Sequence, residues 1–335
     1  MDTEPTTPLS PAGNEVASFH NVIVRYGKFT ALQGVTFAVR TGATGLVGRN
    51  GAGKSTLLRL MLGLVRPTAG EGNVLGYELS RVGAELRQMV GYMPENDALV
   101  VGMNGLEQVV LAGELCGLSP REAARRAHES LAYTDLGEAR YRRVDTYSAG
   151  MRQRLKLAVA IVHDPQLLLL DEPTVGLDPP GRRRMLALIR DLVVRHKKSL
   201  LLCTHLLGDV EFCCEHLAVL EAGRIVGAGP IAEVKRSTVN GFRIAWEGSR
   251  ARLLDRLSRD GVRHVEISDA GALDGDVGFH RATLQTPAGY DSGRLFAAAH
   301  ETHARIWKLE PDEEPLADLY HRLIGAGGAS LSHDG

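Results

Sequence analysis

The sequence predicts an α/β fold, a mostly parallel sheet with crossover helices into which a helical subdomain is inserted, followed by a small α+β domain of ferredoxin-like element order. Three observations predict it. Strand-length apolar runs alternate with amphipathic helical stretches across residues 16–236. A glycine-rich turn stands between one such strand and the helix after it. Beyond a composition shift at 227–230, the remaining runs follow the order β, α, β, β, α, β over 240–326.

Taken in order, residues 1–15 are acidic and Pro-rich with no apolar core, which predicts a disordered tail and not a secretory signal. Strands are expected at 17–24 and 35–39, with Tyr26 and Gly27 in the loop between them. A strand at 45–47 runs through the glycine-rich turn into a helix at 55–64, stopped by Arg66 and Pro67. Across 96–147 the pattern turns helical: Leu106, Val109, Val110 and Gly113 share one stripe, and Ser119, Pro120 and Glu122 open a second helix. Helices at 151–162 and 181–194 then alternate with strands at 167–170 and 199–203, and a hairpin-like pair surrounds Ala222 and Gly223. A parallel sheet is the simplest arrangement. In the last domain, strands are expected at 242–246, 265–268, 282–285 and 304–309, helices at 250–259 and 293–302, and core anchors at Trp246 and Trp307. An amphipathic stretch at 314–324 precedes a Gly-rich tail at 327–335.

Composition narrows the function. The 335 residues are 44% hydrophobic and 24% charged, an ordinary globular balance that excludes a collagen or coiled-coil rod. Lys+Arg 39 against Asp+Glu 40 leaves a formal charge of -1, so no global field draws the chain to nucleic acid or an acidic membrane. No apolar run is long enough to span a bilayer. Four cysteines make a poor disulfide framework and suit a reducing cytosol. Cys203, His205, Cys213, Cys214 and His216 do not have the spacing of a standard zinc set.

Gly48, Arg49, Asn50, Gly51, Ala52, Gly53, Lys54 and Ser55, with Thr56 next, fit G-x-x-x-x-G-K-[ST] after a strand and at the opening of a helix. Glycines there let backbone N–H groups turn inward around a di- or triphosphate, and the helix N-terminus adds about half a unit of positive potential. The motif gives Lys54 the β- and γ-phosphates and the Ser55 hydroxyl a Mg²⁺ ion. Leu167 to Leu170 form a buried-strand run that ends in Asp171 and Glu172. Asp171 lies where open α/β sheets bind ligands and is expected to hold Mg²⁺ directly or through water. Strand alternation aims Glu172 elsewhere, where it would polarise an attacking water. Ser148 is a candidate N-cap, and Gly150 leaves the first turn of its helix bare, a second N-terminus suited to phosphate.

This order of motifs resembles the ATP-binding subunit of ABC transporters over about residues 17–235. The resemblance implies a P-loop NTPase fold of ABC type, with ATP and Mg²⁺ as ligands, that hydrolyses ATP to ADP and phosphate. It implies that Tyr26 stacks on adenine, that Val175, Gly176, Leu177 and Asp178 after Pro173 form a loop joining the two sites of a dimer, and that His205 contacts the γ-phosphate and orders the attacking water. It further implies that Ser148, Ala149 and Gly150 of one chain face the phosphate loop of a second copy, in a homodimer or pseudo-homodimer. Two positions depart from the common pattern. Glu95 stands where many members have Gln; it can coordinate Mg²⁺ or its water but adds negative charge near the phosphates. The signature has Ala149 for the commoner Gly and Met151 for the commoner Gln.

With no membrane helix of its own, such a subunit is expected to sit peripherally on the cytoplasmic face of the membrane, bound to integral permease subunits and not to nucleic acid. Leu99, Val100 and Val101 are expected to tuck into the core, the alternative being the family's socket for the permease. Tyr92, Met93, Pro94 and Glu95, together with Pro315, Leu316, Ala317, Asp318, Leu319 and Tyr320, resemble exporter ATPases with a short regulatory extension. The competing reading is a soluble ABC ATPase acting on nucleic acid or ribosomes, but the stretch from Lys54 to Ser148 leaves no room for a long coiled coil and the chain has one cassette. A P-loop kinase or GTPase would leave the signature and His205 unexplained.

Overall fold

In the computed structural model of the protein, residues 14–96, 98–236, 241–274, 277–287 and 289–312 are described, together with Leu316 and Tyr320. The expected tail at 327–335 and nearly all of the stretch 314–324 lie outside these residues, as does the first tail up to residue 13. Glu15, assigned to that tail, already pairs with Arg40 in a strand. The described chain forms two compact units that part between Ile231 and Ala232.

The first unit begins β1 (Glu15–Tyr26), β2 (Phe29–Arg40), β3 (Ala43–Val47), α1 (Lys54–Met61), β4 (Ala69–Val74), β5 (Tyr77–Glu78), α2 (Ala84–Met89) and β6 (Val90–Met93). Helices α3 (Gly105–Leu115) and α4 (Pro120–Tyr133) follow, then α5 (Ala149–Ile161), β7 (Leu167–Asp171), α6 (Pro179–Val194), β8 (Ser199–Thr204), α7 (Leu207–Cys213), β9 (His216–Glu221) and β10 (Arg224–Pro230); α8 (Ile231–Arg236) starts on the last residue of this unit and runs into the second. A six-stranded sheet runs β10-β9-β3-β8-β7-β6, parallel except for the β9–β10 hairpin. The expected hairpin turn at Ala222 and Gly223 has positive φ at both residues, the backbone that matches strand twist in a two-residue turn.

A single parallel sheet was too simple an expectation. A second sheet, four-stranded and antiparallel, runs β2-β1-β4-β5. Tyr26, expected in a loop, ends β1 and pairs with Phe29. Every residue of β7 and β8 is buried because both faces of that sheet are covered. Leu167, Leu169, Leu201 and Cys203 belong to the cluster containing Leu57, Leu58 and Phe19, whereas Leu168, Leu170, Leu200 and Leu202 pack with Met185 and Ile189 of α6. The inserted helices keep their own core of Val109, Ala127, Leu131, Tyr147 and Leu155. Their starts are capped as the sequence suggests: the Ser119 hydroxyl accepts from the Glu122 amide, and Pro120 takes the first helical position. Leu99 packs against this core, but Val100 and Val101 are exposed, Val101 at 80%, so the loop is not tucked in as a whole.

The second unit has β11 (Gly241–Ser249), α9 (Arg250–Arg259), β12 (Arg263–Asp274), β13 (Val277–Gln285), α10 (Gly293–Glu301) and β14 (Arg305–Pro311). Its sheet order is β12-β13-β11-β14, with every neighbouring pair antiparallel. Leu253, Leu257, Leu295 and Ala298 cover one face over Ile244, Trp246, Ala282 and Leu284. Trp246 is the expected core anchor, but Trp307 is not: it is 56% exposed, with the Arg305 guanidinium 4.7 Å above its ring. The tryptophan keeps its apolar face in contact with a cation and leaves the core to the opposite side of the sheet.

Candidate functional site

Two glycines of the phosphate loop, Gly48 and Gly53, leave no room for a side chain. Gly53, the N-cap of α1, has φ 113, and a Cβ on it would lie 2.9 Å from the Ala31 carbonyl oxygen. A Cβ on Gly48 would lie 2.4 Å from the Leu220 carbonyl oxygen. The loop is also braced from the β9–β10 hairpin, since the Gly223 amide donates to the Ala52 carbonyl at 2.9 Å. These contacts hold an open arc of backbone at the start of α1, where the helix dipole favours an anion.

Around that arc, Phe29, Ala31, Arg49, Asn50, Gly51, Gly53, Lys54, Ser55, Thr56, Glu95, Asp171 and Glu172 line a cavity of about 440 Å³. The size suits a nucleotide. Lys54 is buried, with its ammonium donating to the Gly48 carbonyl at 2.6 Å and lying 3.6 Å from Glu172 Oε1. The Ser55 hydroxyl donates to Asp171 Oδ2 at 3.3 Å. Burial, helped by the charges of Glu95 and Glu172, pushes the Asp171 carboxyl up to about 6.

Two hard oxygen donors beside a phosphate cradle, one of them a buried carboxylate that is destabilised when ionised, fit a magnesium ion completed by phosphate oxygens and water. Among the described residues no cluster of three or more His, Cys, Asp or Glu side chains could hold a metal by itself. A cation here would therefore share its coordination with the nucleotide.

Glu172 does not point away from this cavity as strand alternation suggested. Its φ of 49 is left-handed, so the chain turns at the end of β7 and both acids line the same cavity. Glu172 Oε2 accepts from the Thr204 hydroxyl at 3.1 Å, and Oε1 lies 2.9 Å from His205 Nδ1. Its own amide donates to the Cys203 carbonyl at 2.8 Å. Thr204 was not foreseen; its position one residue before His205, at the end of a strand paired with β7, was the available signal.

The aromatic wall differs as well. Phe29, 64% exposed, lines the cavity, whereas Tyr26 stands across the two-residue turn and is not among the lining residues. A strand ending at Tyr26 and resuming after Gly27 and Lys28 places both rings at one turn, so Phe29 is a further aromatic of the cavity wall that the sequence pattern did not single out.

Ser148, Ala149, Gly150 and Asp178 lie elsewhere. They line a separate cavity of about 390 Å³ with Gly176, Leu177 and Pro180. Ser148 caps α5 by accepting from the Met151 amide at 3.3 Å, and Asp178 caps α6 by accepting from the Gly181 amide at 3.0 Å. The loop between β7 and α6 is tied to α5 by Gln153, whose amide donates to the Val175 carbonyl at 3.1 Å. One chain thus carries two anion-ready helix N-termini in two different cavities.

Comparison with known proteins gives this arrangement its family. The ABC transporter domain profile matches residues 32–175. The chain is 34% identical over 91% of its length, and 97% of the relative's, to the linearmycin resistance ATP-binding protein LnrL of Bacillus subtilis. It is 31% identical over 97% of its length, and 94% of the relative's, to the daunorubicin/doxorubicin resistance ATP-binding protein DrrA of Streptomyces peucetius. Among solved structures, the ATP-binding subunit of an ABC transporter superposes with TM-score 0.59 at 29% identity, covering 66% of this chain and 92% of that one. A dimeric ATP-binding cassette in a post-hydrolysis state with ADP and Pi shares the fold, with TM-score 0.58 at 24% identity over 64% of this chain and 98% of that one. A phosphate cradle with a buried carboxylate pair, in a chain aligned almost end to end with such relatives, has one meaning: the protein belongs to the ABC transporter family, as its ATP-binding and ATP-hydrolysing subunit.

Proposed function

We propose that this subunit powers an exporter by clamping ATP between two copies of itself, each copy supplying half of every site. The observation that carries the reading is the separation of the two half-sites. The Lys54 cradle and the Ser148–Gly150 helix start line different cavities of one chain, so a nucleotide that uses both needs a second chain. ATP carries three or four negative charges, and two helix N-termini on opposite sides stabilise its γ-phosphate only when the copies close.

In the closed state, Lys54 and the loop amides hold the β- and γ-phosphates while Phe29 and Tyr26 offer aromatic surface to the base. Ser55 and Asp171 would hold Mg²⁺, and Glu95, which lines the same cavity, would add a further oxygen donor to the ion or to its water. Bound there, the ion would neutralise charge on the transferring phosphoryl group. Glu172 would accept a proton from the attacking water, and His205, within hydrogen-bond distance of Glu172, would orient that water against the γ-phosphate. Losing the γ-phosphate removes the charge that bridges the copies, so they part.

Relatives named for Nod factor export and drug resistance support an exporter as the driven machine. No helix among the described residues is long and apolar enough to cross a membrane, so the work would pass to separate permease subunits at the cytoplasmic membrane face. Exposed Val100 and Val101, next to the helical subdomain, support a permease contact there.

The test of the shared site mixes two defective chains. In a Glu172→Gln background, Lys54→Ala spoils the cradle and Gly150→Asp spoils the opposing helix start. Neither chain alone should occlude labelled ATP, but the mixture forms heterodimers with one intact site and should. Occlusion by the Gly150→Asp chain alone, with no gain on mixing, would show that one chain suffices. Recovery of the native protein with a multi-span membrane protein supports the exporter, and recovery with ribosomes or DNA contradicts it.

A further inference from the structure

Beyond Glu172 and His205, one buried carboxylate joins the same two chain segments and has no part in the chemistry described so far. Asp209, in the first turn of α7, is fully buried. Its Oδ2 accepts from the hydroxyl of buried Thr174, and its Oδ1 accepts from Arg182 Nε at 2.6 Å. Thr174 lies two residues after Glu172, in the loop that leads to Asp178, and Arg182 is in the first turn of α6. Asp209 lies four residues after His205. The segments 172–182 and 204–209 are therefore tied twice: once by Glu172 with Thr204 and His205, and once by Thr174 and Arg182 with Asp209.

The two ties differ in permanence. His205 is half exposed, so its hydrogen bond to Glu172 is open to solvent. Asp209 is sealed from solvent, and its bonds are charge-assisted, the stronger kind. Helix α7 is also seated firmly, because Val210 fills the space where a Cβ on Gly45 would lie at 2.4 Å. A segment pinned at 209 and bonded at 204 leaves His205 little freedom except to swing its ring.

We infer that Asp209 is a positioning residue for hydrolysis: it fixes the segment that carries His205 against the loop that follows Glu172, so that the two side chains meet the γ-phosphate in register. It acts on the chemical step and not on nucleotide affinity, since none of Asp209, Thr174 and Arg182 lines the phosphate cavity. The inference rests on Glu172 and His205 serving hydrolysis.

The test is a cycle of variants on the full chain, read by single-turnover hydrolysis and by the KM for ATP. Asp209→Ala should lower kcat by about 10–100-fold, the usual cost of small misplacement, with KM held within about 3-fold. Asp209→Asn, which still accepts from Thr174 but loses the charge facing Arg182, should fall between, as should Thr174→Val. In a His205→Ala background, Asp209→Ala should cost clearly less than in the native chain, because one of the two side chains it holds in register is already gone. Circular dichroism and thermal melting confirm the fold of each variant. If Asp209→Ala does not fold, Asp209→Asn and Thr174→Val carry the same cycle. Unchanged kcat in the folded variants, or an equal loss with and without His205, would overturn the inference. Full turnover in Glu172→Gln and His205→Ala would instead overturn the assignment it rests on.

Discussion

Glu172 is held in a left-handed backbone conformation that costs a non-glycine residue roughly 1–2 kcal/mol, and the reason is visible in what the turn achieves. It brings a second carboxylate into the cavity that Asp171 already faces, with Thr204, His205 and Lys54 as neighbours. Glu172→Gln keeps the shape and removes the base, so hydrolysis should fall by about 10²–10⁴-fold with ATP binding retained, as measured by turnover and by calorimetry. The sign of the Asp171 effect can be worked out. Its native carboxyl titrates at about 6, above the ordinary 3.8, so between these values the folded chain binds more protons than the unfolded one. Stability from this group therefore falls as pH rises through the window. In metal-free protein, Asp171→Asn should raise Tm at pH 8 by roughly 2–4 °C, keep about half of that advantage near pH 5 and lose it below about pH 4. The same variant should lose Mg²⁺-dependent hydrolysis. A melting curve with no difference at pH 8 would contradict the buried, ionised carboxylate.

Among the elements, the strand–loop–helix from β3 to α1 was legible because its parts are local: an apolar run, glycines in fixed order, then Lys54 and Ser55. The starts of α4 and α5 were legible for the same reason, with Ser119, Pro120 and Ser148 written at the caps. The strands β4 and β5 were not. Only Val74 of Ala69–Val74 is buried, so that strand shows no apolar alternation and its pairing with β1 is set by the partner. The Glu172 turn was hidden because alternation presumes an extended backbone, and Trp307 was misplaced because size was taken for burial when a cation–π contact holds it at the surface. Phe29 went unseen because the turn that presents it is only two residues long. Two predictions belong at this scale. Gly48→Ala must move the Leu220 carbonyl or distort the loop, and should abolish measurable ATP binding while α1 and the sheets persist. Phe29→Ala should weaken ATP affinity by about 1–3 kcal/mol if the ring stacks on the base, with kcat at saturation kept, and unchanged affinity would shift that role to Tyr26 alone.

For the molecule as a whole, the first unit carries the cradle and the signature, and the second is a βαββαβ layer whose described helices α9 and α10 pack on one face of its sheet. The cradle and the signature face different cavities, and in this account ATP is what brings one copy's cradle to another copy's signature. The measurement that tests this most directly is light scattering on the Glu172→Gln chain, without nucleotide, with ADP, and with ATP and Mg²⁺. The account predicts a mass that doubles with ATP and Mg²⁺ alone and returns to that of one chain when ATP is replaced by ADP. A mass of one chain under saturating ATP and Mg²⁺ at high protein concentration, with the permease supplied, would contradict it.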